Sequence, residues 1–433
     1  MPAMRLTSSL EASVEASLST LGDEHGQPFT IFRVPAYVRA AKRTAYEPRM
    51  VSIGPYYHGA AGLRAMEDHK WRYLRDLLSR NSAVSSSALI QEMRSLEPRA
   101  RACYSERSAL ATDDFVRMLL LDGSFILEFF FKWHDKVPDA LCDVGWGLTL
   151  VRSDLLLLEN QVPFFVVQKL YDVVAGVRDS RELLVNLFLE YTSDDKPIAR
   201  PPSDSDIHHL LHLYYESFVP KLRADDDDAP SATTGQQEKG AARVRVIPRA
   251  AEMSAAGVTF APRRRSGPAA RGDMYDVAFD GRRGVMEIPR VVIDEMKRPL
   301  LVNLMALEQS QQGAGARVLT SYVSLMGMLV RTAQDVELLH RCGVLDNLLA
   351  DDQEAAWFFS HLGDGGAMDY SRHVFAGLCE DVQRYCGSWW HRNRAKLRQD
   401  YFGSPWSAIS LFIAGLVVAL TATQAYFAAF PRK

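Results

Sequence analysis

Apolar residues recur at three- and four-residue spacing along most of the chain, the period of an amphipathic helix. Val318, Tyr322, Leu325, Met326, Leu329, Ala333, Val336 and Leu339 form one such stripe and predict a single long helix. Its end is marked, because His340 and Arg341 fall in the last turn and Gly343 suits the left-handed position that follows. A second long helix is expected over 369–398, through Val374, Phe375, Leu378, Val382, Tyr385 and Trp389. Earlier helices are expected over 66–80, 112–131, 153–172, 181–191 and 206–219, with Ser153 as an N-cap. The period switches to two at Tyr275, Val277 and Phe279; Asp280-Gly281 then turns the chain and 285–288 returns, a β-hairpin.

The hydropathy pattern changes again at the C-terminus. From Trp406 to Phe430 there are 25 residues without a charge, and roughly 20 apolar residues cross a ~30 Å hydrocarbon core. Arg392, Arg394, Lys396 and Arg398 precede this stretch, and Trp406 and Tyr426 stand near its ends. Basic residues before a span place that side in the cytosol, and aromatic residues favour the interfaces. The pattern predicts a tail-anchored, single-pass transmembrane helix with the bulk of the chain cytosolic. The membrane would be the plasma membrane or the endoplasmic reticulum, with the lipid bilayer as one partner. Gly415, Ala419 and Thr423 form a small-residue row that would pair two spans in a homodimer.

The expected fold class is mainly α: a multi-helix cytosolic body, a small β-hairpin and one C-terminal transmembrane helix. Residues 1–28 form an N-terminal segment and 29–223 the first helical part. A mostly disordered acidic and basic insert covers 224–272; the hairpin and second helical part cover 273–405, and the span 406–430. Within the insert, 224–243 holds four consecutive Asp residues and little to bury, and 262–272 carries Arg263, Arg264, Arg265 and Arg271.

Composition narrows the function classes. The 433 residues carry 50 Lys+Arg against 53 Asp+Glu, a net charge of −3, which argues against a dedicated nucleic-acid binder. Five cysteines, Cys103, Cys142, Cys342, Cys379 and Cys386, are odd in number and lack the spacing of a disulfide framework. Cys379 and Cys386 read as core thiols. No Asn starts a glycosylation acceptor, and the first 26 residues lack the apolar run of a secretory signal.

Candidate chemistry is sparse. His208 and His212 stand at i and i+4, so both would face one metal on a helix, but His209 occupies the place of a zinc protease's Glu and no third ligand is marked. No Lys follows a Gly, which excludes a phosphate loop; Gly313 and Gly315 begin a pattern whose third Gly is replaced by Val318. Ser124 follows Gly123 without the rest of a nucleophile elbow. Two polar islands interrupt apolar runs: Glu159-Asn160-Gln161, and Glu308-Gln309. Buried amides and carboxylates are costly unless paired, so these are expected to hydrogen-bond to neighbouring helices or backbone. Were the chain a membrane-bound hydrolase instead, Glu159 or Glu308 would be its carboxylate. No catalytic, cofactor-binding or metal residue is assigned, and no cofactor is expected.

Several segments carry a family resemblance: IFRVPAYVR (31–39), YEPRMVSIGPYYHG (46–59), MEDHKWRYL (66–74), DGSFILEFF (122–130) and DLLLLENQVPFFVV (154–167). They continue with AAEMSAAGVTF (250–260), IPRVVIDEMKRPLLVNLMALEQ (288–309), TAQDVELLHRCGVLDN (332–347) and the closing 401–427. In this order they resemble the plant domain-of-unknown-function family 247, the uncharacterised UPF 0481 proteins. Where the family often has Cys, this chain has Ser124. The resemblance implies a largely helical plant protein with a C-terminal span, and it carries no catalytic or ligand residue. Some members are linked to self-incompatibility in grasses, which implies recognition between proteins. The expected function is a non-enzymatic interaction or signalling component with protein partners.

Overall fold

The computed structural model describes residues 10–15, 29–193, 200–202, 205–220, 246–263, 273–311, 317–363, 373–388 and 405–429. The expected loop over 224–243, Arg264, Arg265 and Arg271, the Gly313–Gly315 pattern and the basic residues 392–398 fall outside them. The chain divides into two compact units, the first made of Met1–Val34, Glu47–Asp194 and Ser203–Leu213.

The first unit is helical. Its helices are α1 (Ala65–Ser79), α2 (Ser86–Ala102), α3 (Thr112–Asp135), α4 (Gly147–Leu155), α5 (Phe164–Ala175) and α6 (Arg181–Thr192). Helix α3 is the axis of this unit: from Phe115 to Phe130 nearly every side chain is buried, and α1, α2, α5 and α6 pack around it. Phe125, Phe129, Phe130, Phe188 and Tyr191 form a connected aromatic core between α3 and α6. A helix hydrophobic all round is what a bundle centre requires. The helices expected over 66–80, 112–131 and 181–191 are observed within a few residues of those limits. Helix α2 carries Pro98 in its interior and was not expected.

The helix expected over 153–172 is corrected. It is two helices, α4 and α5, separated by residues 156–163. Pro163, at the N-cap of α5, has no N–H to donate to a preceding turn. The side chains of Asn160 and Gln161 compete with helix formation by bonding to backbone carbonyls outside any helical register.

The second unit contains Pro35–Tyr46 and the residues from Tyr214 onward. Short helices at Ala36–Ala41 and Arg43–Tyr46 are followed by α7 (Leu210–Phe218), which begins in the first unit. The remaining helices are α8 (Ala250–Ala255), α9 (Lys297–Ser310), α10 (Val318–Leu329), α11 (Ala333–Arg341), α12 (Asp352–Leu362) and α13 (Ala376–Gly387). Strands β1 (Thr259–Pro262), β2 (Ala278–Asp280) and β3 (Val285–Ile288) make a sheet in the order β1-β3-β2. The expected hairpin is its antiparallel β2–β3 pair, with Phe279 opposite Met286. Tyr275 lies in a 3-10 turn before β2, not in the strand. Strands β4 (Val291–Ile293) and β5 (Leu345–Asn347) pair in parallel.

The single helix expected from Val318 to Leu339 is also corrected: it breaks between α10 and α11. The Asp335 carboxylate accepts from the backbone N–H of Arg331 at 3.2 Å, of Thr332 at 2.9 Å and of Ala251 at 2.8 Å, and from the Thr332 hydroxyl at 2.8 Å. Thr332 is the extended N-cap of a new helix, and Asp335 completes a capping box. The predicted end is observed, with His340 and Arg341 in the last turn and Gly343 at φ 71°. Of the helix expected over 369–398, the described part is α13; 364–372 and 389–404 lie outside the described residues.

Pro405–Ala429, α14, is helical. Among the described residues no helix is long and apolar enough to cross a membrane. The transmembrane helix expected over 406–430 is therefore corrected. The tail anchor, the single-pass topology, the cytosolic orientation of the bulk and the plasma-membrane or endoplasmic-reticulum location, which rested on it, go with it.

Candidate functional site

The first polar island is a clamp on backbone. Residues 49–54 have few backbone partners of their own, and buried side chains supply them. The Asp154 carboxylate accepts from the N–H groups of Arg49, Met50 and Val51 at 2.9, 2.7 and 2.8 Å. Asn160 accepts from Ile53 N–H at 2.7 Å and donates to the Val51 carbonyl at 3.0 Å. Asp122 accepts from Gly54 N–H at 2.8 Å and pairs with Lys70 at 2.7 Å. Gly54 sits at φ 77°, and a Cβ there would collide with the Gln161 carbonyl, so only glycine fits. Burial raises the Asp154 carboxyl to about 6, against the pull of three backbone donors.

The candidate carboxylates are spent in the same way. Glu159 is buried and accepts from Val34 N–H and from the Tyr57 hydroxyl, both at 2.8 Å. In the second unit, Glu308 accepts from the N–H groups of Leu319 and Thr320 at 3.0 and 2.8 Å. The hydroxyls of Tyr215 and Thr320 reach it at 2.9 and 2.5 Å. These hydrogen bonds to backbone and neighbouring helices are the ones expected of the islands. They hold the N-terminus of α10 against the end of α9 in one case and order the strap before α1 in the other.

The other singled-out residues are equally placed by packing. His209 is fully buried: its Nε2 lies 3.0 Å from the Thr30 carbonyl, and its Nδ1 accepts from His212 N–H at 3.2 Å. One donor and one acceptor suit the neutral ring, and burial holds its pKa at about 3. His208 and His212 do face each other, with rings stacked 4.5 Å apart, but His212 Nδ1 accepts from the His208 N–H. Among the described residues no group of three His, Cys, Asp or Glu side chains is placed to hold a metal. Cys379 and Cys386 are both buried, as core thiols should be, and burial pushes the Cys379 thiol up to about 11. Ser124 is buried in α3, its hydroxyl unpartnered among the described residues. Arg263 pairs with Asp276 at 2.6 Å and Glu287 at 2.9 Å.

Solvent reaches a different set of residues. A cleft of about 730 Å³ opens in the first unit between the C-terminal turn of α2, the first turns of α5, the start of α6 and residues 205–208. Its apolar surface comes from Leu96, Phe164, Phe165 and Ile207, its charges from Arg99, Lys169, Arg181, Asp172 and Asp206. The Arg99 guanidinium lies over the Phe165 ring at 3.9 Å, a cation–π contact. Lys169 has Glu92 at 3.8 Å, and Arg181 donates to the Ser205 carbonyl. Phe164 N–H donates to the His208 carbonyl at 2.7 Å, tying 205–208 to the α5 N-terminus. Cys103 also lines the cleft, donating to the Arg99 carbonyl at 3.4 Å, and burial raises its thiol above the ordinary range. His208 Nδ1 is 3.7 Å from Asp206, too far for a hydrogen bond. Neither Glu159 nor Glu308 lines this cleft.

Of the residues singled out in the sequence, only His208 and Cys103 reach the cleft. Arg99, Phe165, Lys169 and Arg181 come from three helices, and no spacing in the sequence joins them.

Comparison with known proteins agrees with the resemblance seen in the segments. The chain is 27% identical over 411 residues to the UPF0481 protein At3g47200 of Arabidopsis thaliana, covering 91% of this chain and 85% of that one. It is 23% identical over 506 aligned positions to the putative UPF0481 protein At3g02645 of the same plant, covering 96% and 94%. No solved structure matches it. The family described as plant protein of unknown function, DUF247, matches residues 31–420, a range that holds the clamp, both polar islands and all of the cleft lining but Thr30, and the chain belongs to that family.

Proposed function

We propose that this protein is a recognition module whose first unit holds an extended segment of a partner protein in the α2–α5–α6 cleft, without making or breaking a bond. The observation that carries the reading is the cleft wall itself, an aromatic ring capped by a guanidinium and ringed by charged and amide side chains. Sites for small apolar ligands are mostly apolar and enclosed, whereas this cleft is open and sets five charged side chains around its apolar surface. Aromatic residues and arginine are the types that dominate protein–protein hot spots. The buried clamp supports the same reading, since it fixes α3, α4 and the 156–163 loop that leads into α5, and a rigid wall lowers the cost of ordering a bound segment.

Selection of a random peptide display library on the full chain tests the proposal. Enriched peptides should bind wild type in a fluorescence-polarisation titration and weaken by about tenfold or more on Phe165→Ala. Failure to enrich any peptide above a mock surface, or binding indifferent to Phe165→Ala, would overturn it.

A further inference from the structure

Resting on that reading, the geometry points to the chemistry of the occupant: we infer that the bound segment presents a side-chain carboxylate to Arg99. Three features carry this.

The first is that Arg99 is held but not used. Its guanidinium stacks on Phe165 at 3.9 Å and makes no hydrogen bond or ion pair with any described residue. A stacked guanidinium keeps its in-plane N–H fork directed outward, and that fork matches a carboxylate in two parallel hydrogen bonds. Every other cation of the cleft has a partner, Lys169 with Glu92 and Arg181 with the Ser205 carbonyl.

The second is the charge of the lining. Arg99, Lys169 and Arg181 face Asp172 and Asp206, and Lys169 is met by Glu92 from outside the lining. Arg99 is thus the cation left for a single incoming carboxylate. A phosphate, close to doubly charged near neutrality, would meet two aspartates with too few cations to offset them.

The third is that neither aspartate of the lining pairs with Arg99 among the described residues, and Asp172 is partly occupied, accepting from the Ser180 N–H at 2.8 Å. Arg99 therefore carries an unmet demand for an anion beside an aromatic ring.

The test uses the full chain and four pools of capped random peptides, identical but for the central residue: Asp, Asn, Lys or phosphoserine. Retention of each pool is read by mass spectrometry. The Asp pool should exceed the Asn pool by about tenfold, as expected for a charge-assisted pair, and the Lys pool should fall below both. The excess should vanish in Arg99→Gln and survive in part in Arg99→Lys, with thermal melting unchanged because Arg99 is exposed. Equal retention of the Asp, Asn and Lys pools, still lost on Phe165→Ala, would overturn the carboxylate while sparing the recognition proposal. Preference for phosphoserine over Asp would likewise overturn it. No retention of any pool would remove both.

Discussion

At the scale of single residues, buried polar atoms decide this fold, and they differ sharply in what they contribute. Asp154 satisfies three backbone N–H groups that nothing else reaches. Asp154→Ala should therefore cost about 3 kcal/mol or more, through orphaned donors rather than lost charge, read from the urea midpoint. Tyr322 is the opposite case: it is buried, yet its hydroxyl finds no partner among the described residues. Tyr322→Phe should leave stability unchanged or raise it by about 1 kcal/mol. His209 gives a pH dependence with a definite sign. Its folded pKa of about 3 lies below the 6.5 of a free imidazole, so the unfolded chain binds the extra proton and acidification destabilises. The loss begins below pH 6.5 and reaches about 2 kcal/mol by pH 5. Asp154 works against it, because its raised folded pKa favours the fold below the ordinary carboxylate range and that gain fades as pH rises through about 6. Subtracting the pH profile of His209→Gln from that of wild type isolates the histidine. An identical profile in the two proteins would refute its neutral burial.

At the scale of elements, hydrophobic period located helices well and their interruptions badly. A stripe of apolar residues specifies which face is buried, and so α1, α3 and α6 were legible to within a few residues. The stripe from Val318 to Leu339 runs straight through a break, because α10 and α11 both turn their apolar faces to the core. What separates them is Asp335, whose carboxylate takes four donors at the start of α11. The same ambiguity hid residues 156–163, apolar enough to pass for helix until Glu159, Asn160 and Gln161 are seen bonding backward to backbone. Thr332→Ala should cost about 1 kcal/mol as the loss of a cap. Asp335→Ala should cost about 2 to 4 kcal/mol, because it also strands the N–H of Ala251 in α8. Hydrogen exchange should then rise at 249–256 and 331–341 while the protection of α3 is retained. Unchanged protection at both segments would show that the carboxylate does not join them.

At the scale of the whole molecule, the family and the mainly helical class were readable from the sequence. Ordered segments and apolar period survive in the linear chain, and each needs only near neighbours to be recognised. The polar islands were legible as buried and paired for a related reason: a Glu, Asn or Gln inside an apolar run must be hydrogen-bonded wherever the chain takes it. Which groups would pair with them was not legible, since Val34 and Glu159 are 125 positions apart. The C-terminal stretch marks the other limit. Its lack of charge was plain, but lack of charge alone did not make a span, and no helix among the described residues is long and apolar enough to cross a membrane. The cleft was invisible for a simpler reason. Arg99 has an ordinary helical surface position in the sequence, and only the packing of α2 against α5 sets its guanidinium on Phe165 and leaves its donors unclaimed. Local chemistry thus determined the elements and the fate of the buried polar residues. The tertiary structure alone decided where helices break and which side chains meet, because those outcomes depend on partners that sequence distance conceals.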